Sequence, residues 1–171
     1  QACEGLAGVS ASQVEIQSGI QFYDGISTAE IQEILIKSAS DLIDLDHPNY
    51  QYVAARLLLF SVKKSLYGRI HELPDLKDHV VKCIEKGIYD EEILNLYDDE
   101  EFDKLQGIID HERDYLFTYA GLRQIVDKYL VQDRSNGALY ETPQFMYLLI
   151  SATIFSKYPK EVRLDYVKKY Y

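Results

Sequence analysis

The chain has 171 residues, of which 47% are hydrophobic and 27% charged, with only 9 Gly and 4 Pro. This composition is typical of a folded domain and excludes a disordered or low-complexity chain. The net charge of −10 argues against a nucleic-acid partner, because phosphate binding needs a clustered excess of Lys and Arg. No apolar run approaches the roughly 18 residues that span a bilayer, and no signal sequence is seen. We therefore expect a cytoplasmic protein with no membrane contact.

Three helical patterns occupy the first part of the chain. Apolar residues recur at helical spacing over residues 14–20, and again over residues 31–43. Ser27 and Thr28 stand just before the second pattern and Glu30 lies in its first turn, which is typical of a capped helix start. The third pattern covers residues 50–67 and ends at a glycine. Lysines 63 and 64 in its last turn are predicted to stabilise that helix end through the macrodipole.

The second part of the chain follows a linker at residues 69–74, which contains Pro and mixed charges. The patterns there predict helices over residues 76–86, 91–97, 99–111, 117–129 and 145–155, with a last amphipathic run at 162–167. Asn136-Gly137 predicts a β-hairpin between residues 129 and 141. The acidic residues at 90–103 lack the register of a calcium loop, so they are interpreted as a solvated helix face.

No motif in the chain indicates a particular reaction. Phosphate-cradling glycine loops and hydrolytic signatures are absent, and Cys3 and Cys83 have neither zinc-ligand nor disulfide-framework spacing. The fifteen tyrosines are interpreted as core and rim packing residues. Residue chemistry alone thus predicts a mainly α protein without an assigned activity.

Several runs of the sequence nevertheless carry a family likeness. They occur, with matching spacing, at residues 20–26, 49–57, 78–80, 87–90, 109–114, 128–131 and 140–145, the last of these reading Tyr-Glu-Thr-Pro-Gln-Phe. In these runs the chain closely resembles the N-terminal region of class I ribonucleotide reductase large subunits. The resemblance covers nearly the whole chain.

The resemblance implies a fold and a regulatory site. In that family the first part is the ATP-cone, a helical bundle capped by a three-stranded sheet that binds ATP as activator and dATP as inhibitor. We therefore expect a truncated ATP-cone bundle over residues 1–68 and a second helical region with one β-hairpin over residues 69–171. Thr28 matches an effector-binding threonine, Lys64 matches a phosphate-contacting lysine, and Gln32 stands where a close bacterial relative carries a histidine in the effector pocket. Helix N-terminal N–H groups and a lysine are suited to phosphate.

The resemblance also implies what lies outside these residues. The family's opening hairpin, with much of the nucleotide contact surface, corresponds to sequence before Gln1, so we expect effector binding by this chain alone to be impaired. The redox cysteines and the radical-bearing cysteine correspond to sequence after Tyr171. We therefore expect both ends to be cuts in a longer protein, with no catalytic residue, metal or cofactor held by this chain.

The partners that the resemblance implies are the remainder of the large subunit, a second large subunit, and the radical-generating small subunit. The alternative is a stand-alone ATP-cone module that senses nucleotides or mediates an interaction. Such a module would need its own DNA-binding element, usually a basic patch or a zinc ribbon. The sequence after residue 69 is instead acidic and resembles the reductase scaffold.

Overall fold

A computed structural model describes all 171 residues, and it confirms the predicted mainly α fold. The helices in chain order are α1 (Ala11–Gly19), α2 (Thr28–Asp41), α3 (Tyr50–Tyr67), α4 (Leu76–Glu85), α5 (Glu92–Leu96), α6 (Asp99–Gln106), α7 (Tyr119–Lys128), α8 (Pro143–Phe155) and α9 (Lys160–Tyr170). A 3-10 helix at His111–Leu116 separates α6 from α7. None of the helices is both long and apolar enough to cross a lipid bilayer.

Local signals define most helix ends. α3 has its predicted bounds, and Gly68 follows it with a φ of +71°, a conformation that costs glycine little. Pro143 opens α8 in the first turn, where the missing N–H has no intrahelical partner to lose. α2 begins at Thr28 behind the predicted cap residue Ser27. These ends depend on residues within four positions of each other, which is why the sequence predicted them.

The predicted helix over residues 99–111 is wrong over residues 107–111. α6 ends at Gln106, and Gly107 donates its N–H to the Asp103 carbonyl at 3.1 Å as the C-cap residue. α7 likewise begins at Tyr119 rather than at residue 117, because the Thr118 hydroxyl accepts the Gly121 N–H at 3.3 Å as an N-cap. Between them, only His111–Leu116 has helical geometry, of the tighter 3-10 type.

The predicted β-hairpin is not confirmed as two regular strands. The chain does turn at Gly137, whose φ is +75°, but its ladder is a single antiparallel bridge between Gln132 and Leu139. Two backbone hydrogen bonds flank the bridge, from Asp133 to the Ala138 carbonyl at 2.9 Å and from Tyr140 to the Val131 carbonyl at 3.0 Å. Side chains add further hydrogen bonds to the backbone of this segment. The Asp133 carboxylate accepts the Ser135 N–H at 2.8 Å, and the Glu141 carboxylate accepts the Val131 N–H at 2.9 Å.

The first of two compact units consists of residues 1–64 and 112–129. Its core includes Val14, Ala39, Tyr50, Val53 and Ala54, which come from α1, α2 and α3. The unit thus includes a segment that follows the linker in sequence, and the domain boundary at residue 68 stays a prediction.

The second compact unit consists of residues 65–111 and 130–171. Its core is formed by α4, α6, α8 and α9 with large apolar side chains such as Leu76, Phe102, Phe145 and Val167. Within it, Glu101 is only 2% exposed and forms a two-pronged ion pair with Arg163. The interpretation of the whole acidic stretch as a solvated face is therefore wrong at this residue, because its partner lies 62 positions away.

Candidate functional site

The N-terminus of α2 is a capping box with an exposed threonine beside it. The Ser27 hydroxyl accepts the Glu30 N–H at 3.2 Å, and the Glu30 carboxylate accepts the Ser27 N–H at 2.9 Å. These hydrogen bonds from Ser27, with one from the Tyr23 hydroxyl, hold the pKa of Glu30 below its usual value. Thr28 is the first helical residue, and the amides at this position and the next have no intrahelical acceptor. They are available to an anion.

Gln32 lies one turn further along α2 and is half-buried. Its side-chain amide donates to the Leu57 carbonyl in α3 at 3.1 Å. The contact uses one of the two N–H donors of the amide and leaves its carbonyl oxygen available. Gln32 therefore joins α2 to α3 at the turn next to Thr28.

Lys64 is exposed in the last turn of α3, and no carboxylate lies within 4 Å of its ammonium group. Leu35 and Ala39 in α2, and Leu42 just after it, share a core with the first turns of α3, so the two helices run in opposite directions. Thr28 lies four residues before Gln32 in α2, and Lys64 lies seven residues after Leu57 in α3. Thr28 and Lys64 therefore lie on the same side of the Gln32–Leu57 contact along the two helices, and this side is termed the α2–α3 end.

Lys63 differs from its neighbour and does not act as an exposed capping cation. Its side chain is buried, and its ammonium nitrogen lies 5.5 Å from the centre of the Tyr115 ring, as does the guanidinium carbon of Arg56. Burial lowers the pKa of Lys63, and the Asp114 and Glu112 carboxylates partly oppose this shift. The seven-residue spacing of Arg56 and Lys63 puts them on one helix face. This spacing is the feature of the sequence that could have distinguished Lys63, which packs on an aromatic ring, from the exposed Lys64.

The capping box yields a stability prediction. Replacing Ser27 by alanine is expected to lower the free energy of unfolding by about 1 kcal/mol, because the Glu30 amide loses its acceptor. Urea denaturation followed by circular dichroism measures it. Ser12→Ala is the matched control, since Ser12 is exposed in α1, and we expect less than about 0.5 kcal/mol there. Equal losses in both variants would contradict the assigned cap.

No group of three or more His, Cys, Asp or Glu side chains is arranged to hold a metal ion. The groups available at the α2–α3 end are free backbone N–H groups, one amide side chain and one lysine without an ion pair. These are groups that recognise a phosphorylated ligand.

Two families match separate parts of the chain. The ATP cone domain family matches residues 2–65, and the all-alpha domain family of ribonucleotide reductase matches residues 115–171. The ribonucleoside-diphosphate reductase 1 subunit alpha of Escherichia coli K12 is 54% identical over 170 residues, which are 99% of this chain and 22% of the relative. The corresponding subunit alpha of Haemophilus influenzae has the same identity and coverage. That of Enterobacteria phage T4 is 42% identical over 166 residues, 96% of this chain and 22% of its own length.

The matched segments are an ATP cone domain followed by an all-alpha domain of ribonucleotide reductase. The chain belongs to the family of ribonucleoside-diphosphate reductase large (alpha) subunits. It spans about 22% of the length of the relatives that it matches.

Proposed function

We propose that this chain is the N-terminal regulatory and scaffold part of a ribonucleoside-diphosphate reductase large subunit. The complete subunit would reduce ribonucleotides to deoxyribonucleotides by thiyl-radical chemistry, with its catalytic residues outside these 171 positions. The observation that carries the proposal is the match of reductase alpha subunits over 99% of the chain. The 171 residues alone are expected to be inactive.

The regulatory part of the proposal concerns ATP and dATP as effectors at the α2–α3 end. Backbone N–H groups beside Thr28 would bind phosphate oxygens, and Lys64 would supply a point charge to the same phosphates. Gln32 would offer its remaining donor and its carbonyl oxygen to the base or the sugar. The Glu30 carboxylate, which accepts the Ser27 N–H, lies close to Thr28 in the chain. Its negative charge is expected to repel the effector's phosphates and to weaken binding where they approach it closely.

The partners that we propose are the rest of the large subunit, a second large subunit and the radical-generating small subunit, all in the cytoplasm. A stand-alone nucleotide sensor has less support. Such a protein would need a recognition element of its own after the cone, whereas residues 115–171 match the all-alpha domain of ribonucleotide reductase.

Titration of the effectors against the large subunit that contains this chain tests the regulatory proposal. Lys64→Ala is expected to weaken binding of ATP and dATP about tenfold, because one charged contact to phosphate is lost. Lys128→Ala is the matched control, since Lys128 is also exposed in the last turn of a helix of the first unit. Isothermal titration calorimetry measures both. Unchanged affinity in Lys64→Ala, or an equal loss in the control, would contradict the proposed site.

A further inference from the structure

A cavity of about 610 Å³ lies within the second compact unit, and none of its lining residues belongs to the proposed effector site. Its lining includes the buried side chains of His79 and Cys83 in α4. Tyr67 and Tyr140 contribute aromatic surface to the same cavity. The volume falls in the range of small-molecule sites, and the mixture of buried polar and aromatic walls is typical of them.

Positive charge collects around this cavity although the protein is acidic overall. Arg69, Lys82 and Lys86 line it, with Glu72 as the one lining carboxylate, so the lining carries a net charge of +2 where the whole chain carries −10. Glu72 pairs with Arg69. No carboxylate lies within 4 Å of either lysine. Two cations thus face the cavity without a counter-charge.

The two lysines lie close together at the end of α4. Lys82 lies in the last turn of α4 and Lys86 is its C-cap residue, four positions later, so like charges occupy one side of the helix end. The macrodipole favours cations at this end of a helix and accounts for each lysine separately. The macrodipole does not explain why Arg69, which belongs to a different segment, lines the same cavity as the two lysines.

The aromatic and polar surface of the cavity is held in place by a buried hydrogen-bond network. His79 Nδ1 lies 3.5 Å from the Tyr67 hydroxyl, and His79 Nε2 lies 3.3 Å from the Tyr89 hydroxyl. The Tyr89 hydroxyl donates to the Glu141 carboxylate at 2.5 Å, and the His79 ring stacks on Phe145 with centroids 4.5 Å apart. Because these partners restrain the ring of His79, the cavity wall is preorganised.

We propose that this cavity binds a small molecule that carries both a phosphate group and a planar ring. Lys82 and Lys86 hold the phosphate, since lysine ammonium groups neutralise phosphate as point charges. The ring packs against Tyr67 and Tyr140, where an aromatic face accepts a flat partner. The site does not depend on the effector site proposed above, because it uses none of the same residues.

Protection of Cys83 from alkylation reports occupancy of the cavity directly. The full chain is treated with N-ethylmaleimide in the presence of pyrophosphate or AMP at matched ionic strength, and modification of each cysteine is followed by peptide mass spectrometry. Cys3 lies in the first unit and serves as the internal reference. We expect both probes to slow modification of Cys83 but not of Cys3, with AMP effective at lower concentration because only AMP carries a ring.

Charge variants complete the test. The double variant Lys82→Gln/Lys86→Gln is expected to need at least about tenfold more of either probe for the same protection. Lys157→Gln/Lys168→Gln removes two exposed lysines of the same unit that have no ion pair, and it should match the wild type. Absence of Cys83 protection, or full protection in Lys82→Gln/Lys86→Gln, would overturn the proposal. Equal potency of pyrophosphate and AMP would overturn the ring contact.

Lys64→Ala separates this inference from the proposed effector site. Protection of Cys83 should be unchanged in that variant, whatever happens to ATP and dATP binding. Loss of the protection in Lys64→Ala would place the bound probe at the α2–α3 end and overturn the cavity proposal.

Discussion

Replacing Arg163 by leucine is expected to lower the free energy of unfolding by about 3–5 kcal/mol, because it leaves the Glu101 carboxylate buried without its counter-charge. The guanidinium donates to both Glu101 oxygens, at 2.6 and 2.5 Å, and to the Ser156 carbonyl at 3.1 Å. It also lies over the Tyr97 ring, 4.4 Å from the centroid. Burial acts to raise the pKa of Glu101, but the hydrogen bonds from Arg163 and the Asp98 N–H keep that pKa below its ordinary value. Urea denaturation at neutral pH measures the loss.

A neighbouring ion pair supplies the control for this prediction. Lys160 and Asp98 join the same region of the second unit, but both side chains are at least half exposed. Exposed pairs contribute little, since water screens them and two long side chains must be ordered. We expect Lys160→Leu to change the free energy of unfolding by less than about 1 kcal/mol. Similar losses in the two variants would show that burial does not set the strength of the Arg163–Glu101 pair.

Stability is expected to fall by about 3 kcal/mol through His79 as the pH is lowered from about 7 to 4. Burial, and then the charges of Lys82 and Lys86, lower the pKa of His79 from 6.5 to about 4. The unfolded chain therefore takes up a proton near pH 6.5, whereas the folded chain does so only near pH 4. Between these values the unfolded state binds more protons, so acid favours unfolding and the contribution is complete only above pH 6.5.

The difference between wild type and His79→Gln isolates this contribution from that of the carboxylates. Unfolding free energies from urea titrations at pH 7, 6, 5 and 4 should fall about 3 kcal/mol less in the variant than in the wild type. His47→Gln is the control, since His47 is exposed in the first unit, and this variant should keep the fall of about 3 kcal/mol that comes from His79. Parallel profiles for His79→Gln and wild type would contradict the assignment of a neutral buried histidine.

Features that depend on neighbours in the chain were predictable from the sequence. The Ser27–Glu30 cap, the proline that opens α8 and the glycine that ends α3 act through backbone conformation and hydrogen bonds over three or four positions. The family likeness added the candidate residues Thr28, Gln32 and Lys64, whose roles in effector binding stay predictions. Helical spacing alone would not have selected them from other polar residues of α2 and α3.

The hairpin and the roles of particular charged side chains depended on contacts that composition does not encode. Asn136-Gly137 predicted the turn, but the Glu141 carboxylate accepts the Val131 N–H where a longer strand would have paired. Lys63 and Lys64 are adjacent and chemically identical, yet one lies under Tyr115 and the other in water.

The sequence by itself determined a mainly helical, acidic chain of the reductase large-subunit family, because helical periodicity and caps are local and the family motifs are contiguous. Only the tertiary structure decided which charges are buried and paired, as for Glu101 with Arg163, and which converge on a cavity, as for Lys82 and Lys86 with Arg69. The physical reason is that burial and electrostatic partnership depend on distance in space, and helix packing sets that distance between residues far apart in the chain.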